Sequence, residues 1–149
     1  VALLIPNEGE VQLLADLLGG GALENWKFRL YTSATTPAET DVAATYTEAT
    51  FTGYTAGGNT LTRSLSAGTW STPASGAPTG AWSAEAAVAE STYNAGSPQT
   101  WNATSAQTIV GYYIVGGTSG KLIGAEKFAA SISLVNPSTL TIVPRIGAS

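Results

Sequence analysis

The run Ile109-Val110-Gly111-Tyr112-Tyr113-Ile114-Val115 constrains this chain more than any other stretch. Branched and aromatic residues fall on both alternating faces. A strand apolar on both faces belongs inside a sheet and must be covered on each side. Gly116-Gly117-Thr118-Ser119-Gly120 form a turn cluster, after which Leu122, Ile123 and Phe128 return with charges interleaved. Thr108 to Ala130 is therefore predicted as a long β-hairpin, and the rest of the chain has to supply its cover.

Two other segments repeat with a clear period. From Trp26 the period is two: Trp26, Phe28 and Leu30 point one way, while Lys27, Arg29 and Tyr31 point the other, as in a strand with one wet face. Near the start the period is helical. Pro6 disfavours helix at Ile5, so Val1 to Ile5 is predicted as an extended arm. Asn7 is expected to cap a helix, with Glu10 three residues on as in a capping box. Val11, Leu14 and Leu18 share one helical face, widened by Leu13, Ala15 and Leu17, and Gln12 and Asp16 mark the expected wet side. Gly19-Gly20-Gly21 stop the helix after about three turns, too few to persist alone, so its leucines are expected to lie on the chain's own sheet, or else on a neighbouring subunit.

The remaining residues read as short strands and turns. Tyr46 to Tyr54 is a short strand or an irregular turn, and Ala56-Gly57-Gly58-Asn59 is a turn. Thr60 to Ser66 alternates, and Trp70 opens a strand that Pro73 ends. Ser75 to Gly80 is a loop, Ala81 to Thr92 is read as strand in preference to helix, and Asn94 to Pro98 is a turn. Gln99 to Thr104 is a strand around Trp101. Ile132 to Val135 is a short strand, Asn136-Pro137-Ser138 turns the chain, and Leu140 to Val143 closes the pattern with Pro144 at an edge or bulge. The fold class expected is mainly β: an antiparallel β-sandwich with one short N-terminal helix and an extended N-terminal arm. Residues 1–21 form the arm and helix, and residues 22–149 a single β-sandwich domain.

Composition narrows the chemistry. The chain has 149 residues and no cysteine or histidine. The commonest general base, the commonest metal ligand and all thiolate chemistry are thereby missing, so a Ser-His-Asp triad is impossible and zinc and copper sites are disfavoured. Glu85 with Glu90, and Glu39 with Asp41, are near in sequence but lie in polar loops with nothing to raise a pKa. Asp41, Glu39 and Glu48 do not form an EF-hand loop. Gly19-Gly20-Gly21 follows a helix instead of opening one, and Gly116-Gly117 with Gly120 lacks the Lys-Ser/Thr of a P-loop. Glu126 lies mid-strand, on the face of Leu122 and Phe128 by the period-two rule, and needs a partner such as Arg145, Arg63 or Lys27. No catalytic, cofactor-binding or metal residue is assigned, and no cofactor is expected.

Charge shapes the choice of partner. Charged residues make up 11% of the chain, against about 25% in ordinary soluble domains. The net charge of −4 and the scattered Lys and Arg argue against nucleic acid and an anionic membrane. A surface of Thr, Ser, Ala and Gly suits an assembly subunit. No stretch reaches the length of a membrane span. The start reads as having no signal peptide, and Val1 as following a removed initiator methionine.

Four segments together carry a resemblance: LLIPNEGEVQLLADLLGG at Leu3 to Gly20, YTEATFTGY at Tyr46 to Tyr54, GYYIV with GKLIGAEKF between Gly111 and Phe128, and NPSTLTIVPRI at Asn136 to Ile146. In these the chain resembles small virion structural proteins of tailed bacteriophages. The resemblance implies an assembly component without enzymatic residues. The expected function is a capsid decoration (cement) protein that stabilises the head by binding the major capsid protein. It would act as a homo-oligomer, trimer or dimer, in a virion assembled in the bacterial host cytoplasm. Leu3, Leu4, Ile5, Val11, Leu14 and Leu18 are the candidate protein-interface residues. A tail or fibre component is the alternative within that class. A carbohydrate-binding β-sandwich module using exposed Trp70, Trp82 or Trp101 is the alternative outside it.

Overall fold

The computed structural model describes residues 3–20, 23–64, 70–71, 74–76, 88–93 and 98–148. Among the described residues one α-helix, α1 (Asn7–Leu17), precedes nine strands: β1 (Trp26–Tyr31), β2 (Asn59–Leu61), β3 (Ala74–Gly76), β4 (Val88–Thr92), β5 (Gln99–Ala103), β6 (Gln107–Gly116), β7 (Leu122–Leu134), β8 (Ser138–Ile142) and β9 (Arg145–Ala148), with a 3-10 turn at Ala43–Thr45 between β1 and β2. Every strand pair is antiparallel. The largest sheet has the order β2-β1-β6-β7, and smaller sheets run β3-β4-β9 and β5-β8.

The expected hairpin is the β6–β7 pair, and β6 lies inside its sheet, flanked by β1 and β7. Its second strand runs on through Leu134, so the short strand expected at Ile132 to Val135 is the end of β7. The turn is tied down from outside. The Glu24 carboxylate accepts hydrogen bonds from the Thr118 and Ser119 amides and from the Ser119 hydroxyl. Burial pushes the Glu24 pKa up, but these three bonds outweigh it and hold the carboxyl below its usual range.

The main core lies between the sheets. Phe28, Leu30, Ile109 and Ile114 from the large sheet meet Trp101, Ala103 and Leu140 from β5 and β8, and Trp70 and Tyr93 beside β4. Phe28 stacks on Trp101 with centroids 5.8 Å apart. Sheets that share one core in this way form the expected antiparallel sandwich.

The far face of β1 is not wet throughout. Tyr31 is fully buried in a second cluster with Tyr46, Tyr113, Val115, Leu122 and Ala125. Tyr46, with Ala43 packed beside it, covers this face from outside the sheet, while Ala49, Phe51 and Tyr54 of the irregular Tyr46 to Tyr54 segment join the main core. The segment touches the sheet through a Tyr31–Glu48 bridge and the bonds Thr32 N to Thr47 O and Ala49 N to Leu30 O. Gln107 pins the same segment by accepting from the amides of Thr50 and Phe51.

Several boundaries move. β2 ends at Leu61, short of the expected Ser66, and Trp70 bridges to Tyr93, while residues 65–69 and 72–73 lie outside the described residues. Ser75 and Gly76 are strand, not loop. Val88–Thr92 is strand as expected; residues 81–87, 77–80 and 94–97 lie outside the described residues. The strand expected at Leu140 to Val143 is β8, and Pro144 beyond it separates β8 from β9, which pair in different sheets. A register shift in the β6–β7 ladder puts Leu122 and Ala125, three apart, in the same cluster. Glu126 therefore shares its face with Phe128 but not with Leu122.

Candidate functional site: an outward apolar helix face

The arm and helix attach to the outer edge of β7. Leu4 N donates to Ala125 O and Ala125 N donates to Leu4 O, both at 2.9 Å. Leu3 is 6% exposed and packs over Gly124. Glu8 turns back to accept the Leu122 amide at 2.9 Å. Asn7 is the first helical residue and not the cap. Pro6 stands at the N-cap, where its side chain has no atom to cap with, and the Asn7 amide donates to Glu39 O instead.

The helix then lies on the sheet by its glycine. A Cβ on Gly9 would sit 2.5 Å from Ile123 O, so only glycine permits this approach. Leu13 packs on the main core one turn later. Gln12 donates to Asp16, and Asp16 forms an ion pair with Arg63 across to the sandwich. Arg63 in turn lies over the Trp26 ring at 4.6 Å. Gly9, Gln12, Leu13 and Asp16, spaced i, i+3, i+4 and i+7, thus form the inward stripe.

The expected wet side faces in, and the expected apolar face looks out. Val11 is 63% exposed, Leu14 56%, Leu17 81% and Leu18 76%. Gly19, at φ 73°, and Gly20 close the helix in a Schellman turn, with Gly20 N on Ala15 O and Gly19 N on Asp16 O. Leu23, just beyond, is 70% exposed. Of the candidate interface residues, Val11, Leu14 and Leu18 are on the surface, while Leu3 and Leu4 are laid onto the chain's own sheet and Ile5 is half-buried. Leu17 belongs with the exposed group but reads in the sequence as a mere widening of the face. Leu23 carries no signal except its place after the glycines.

Beside the helix end lies an open, apolar pocket of about 580 Å³, lined by Leu23, Trp26, Arg63, Ser64, Trp70, Ser91 and Ile146. The indole nitrogens of Trp26 and Trp70 are fully buried and without a hydrogen-bond partner. Trp70 and Trp101 are 7% and 3% exposed, so neither is the exposed tryptophan expected. Trp82 lies outside the described residues.

The carboxylates hold structure together. Asp41 accepts from the Tyr46 hydroxyl at 2.7 Å and the Ala38 amide at 2.9 Å. Glu48 pairs with Arg29 and accepts from Tyr54 and the Gly57 amide. Glu126 bonds the Tyr112 hydroxyl, and Arg145 is the one expected cation whose field reaches it. Burial raises the Glu126 pKa, with Tyr112 and Arg145 pulling it back. Comparison with protein-family models, with curated proteins and with solved structures finds no match to this chain.

Proposed function

We propose that this chain is a structural protein of a tailed-bacteriophage virion, a capsid decoration protein that binds the shell of major capsid protein as a homo-oligomer. One observation carries the adhesive part of this reading. The helix spends its polar stripe on its own sandwich and leaves Val11, Leu14, Leu17 and Leu18 bare. Such a face is stable in water only at a cost of about 25 cal/mol per Å², which a protein neighbour relieves. The phage assignment itself rests on the resemblance of the four segments. Repetition over many shell sites lets weak single contacts add up.

Co-sedimentation with empty capsids tests the reading. The wild-type chain is expected to pellet with the shells, and Leu14→Glu to pellet far less while keeping its circular dichroism spectrum. A wild-type chain that stays in the supernatant at every ratio overturns the assignment.

A further inference from the structure

We propose that the pocket beside the helix end binds a small, neutral and largely apolar molecule that carries one oxygen acceptor. The carbon of Trp26, Trp70, Leu23 and Ile146 holds its body, and Arg63 donates a hydrogen bond to its oxygen. Occupancy of this site does not depend on the decoration reading. The pocket measures about 580 Å³, inside the roughly 300–1,000 Å³ range of small-molecule sites. Such sites are mostly carbon, with a few placed polar groups that orient the ligand. The wall here is fixed in advance. Trp26 and Trp70 meet edge to face with ring centroids 5.8 Å apart, and Trp70 is braced from another side by Tyr93 at 5.0 Å. Little order has to be gained on binding.

Arg63 supplies the directional contact. Asn25 accepts from its backbone amide, Asp16 accepts from Nη1, and the guanidinium lies over the Trp26 ring. A guanidinium has five N–H donors, and among the described residues only Nη1 is bonded. None of its nitrogens is both enclosed and unbonded, so the spare donors are open to solvent beside a pocket that this side chain lines. Charge then selects the acceptor. The Arg63 charge is already matched by Asp16, whose side chain is 5% exposed. The Glu24 carboxylate is near enough for its field and that of Asp16 to oppose. Among the described residues no other cation lines the pocket. A ligand carboxylate would be a surplus acid at that guanidinium, disfavoured by like-charge repulsion. A ketone or amide oxygen takes the same hydrogen bond and brings no charge.

Titration of the full chain with acetophenone, ethylbenzene and benzoate tests this, read by nitrogen–proton NMR of the tryptophan indoles. Trp26→Phe and Trp70→Phe assign the two signals. Both neutral probes are expected to shift them, and benzoate to bind about tenfold more weakly than acetophenone. Asp16→Asn combined with Arg63→Met leaves no unpaired charge behind. The pair should weaken acetophenone about tenfold, since a hydrogen bond from a charged donor is lost, and leave ethylbenzene little changed. Ile146→Trp, which fills the pocket, should abolish the shifts; the wild-type titration decides by itself where that variant does not fold. Indole signals of Trp26 and Trp70 that no neutral probe moves overturn the site, as do shifts confined to the amides of Val11, Leu14, Leu17 and Leu18. Benzoate binding as tightly as acetophenone, or acetophenone binding indifferent to the loss of Arg63, overturns the ligand class. Pelleting with capsids reads the helix face and is untouched by these outcomes.

Discussion

Single side chains show how burial, and not catalysis, sets the chemistry here. Burial first, then the fields of Glu126 and Asp41, pushes the Tyr31 phenol up to about 12. Tyr46, Tyr54, Tyr112 and Tyr113 are raised as well, each chiefly by burial. An ultraviolet titration of the folded chain should therefore leave five of its six tyrosines protonated at the ordinary phenol value of 10. Ionisation of most of them there would refute the packing described. Glu126 has the sign of a buried acid. Its folded value is raised above 4.5, so its contribution is fully present below that value and is lost as pH climbs through the folded one. Glu126→Gln keeps an acceptor for Tyr112 and is expected to unfold at higher urea than wild type at neutral pH, the gain vanishing below pH 4.5. The need of Glu126 for a partner is legible from its place in a strand. That a tyrosine opposite it in the ladder is the hydrogen-bonding one follows from the bulge, which leaves no mark in the residue pattern.

At the scale of elements, the strands were easier to read than the helix. β1 and the β6–β7 hairpin follow from period and turn chemistry, because alternation and glycine clusters are local. The helix is equally clear as a helix, yet the pattern misplaces its inner side. Hydrophobic periodicity assumes that the apolar face is the buried one. Here a backbone-to-backbone approach at Gly9 and the Asp16–Arg63 pair override it, and both depend on residues far apart in sequence. Gly9→Ala, which favours helix by propensity, should nevertheless destabilise the chain by about 1–3 kcal/mol as the helix is forced off Ile123. Urea denaturation measures it; a stabilised variant would show that the helix does not rest there.

At the scale of the whole molecule, the arm and helix act as the margin of the large sheet. Removing residues 3–18 would strip Leu4 and Glu8 from the outer side of β7 and bare the backbone groups of Leu122 and Ala125. An uncovered strand edge invites pairing with other chains, so the truncated protein is expected to elute as aggregates in size-exclusion chromatography; a well-behaved monomer would contradict this. The sandwich class was open to sequence reasoning, since many short strands with turns between them leave few other layouts. The partition of strands among sheets was not. Pro144 reads as an edge or bulge at the end of a strand, and it serves as the joint at which the chain leaves β8 and enters β9. That joint has a mechanical consequence. One eleven-residue ribbon, Ser138 to Ala148, is stitched into two separate ladders, so opening either one loads the other through the short Val143–Pro144 joint. Slow amides on Trp101 and on Ser91 should accordingly wash out at one common rate in deuterium, like two pockets sewn with a single thread.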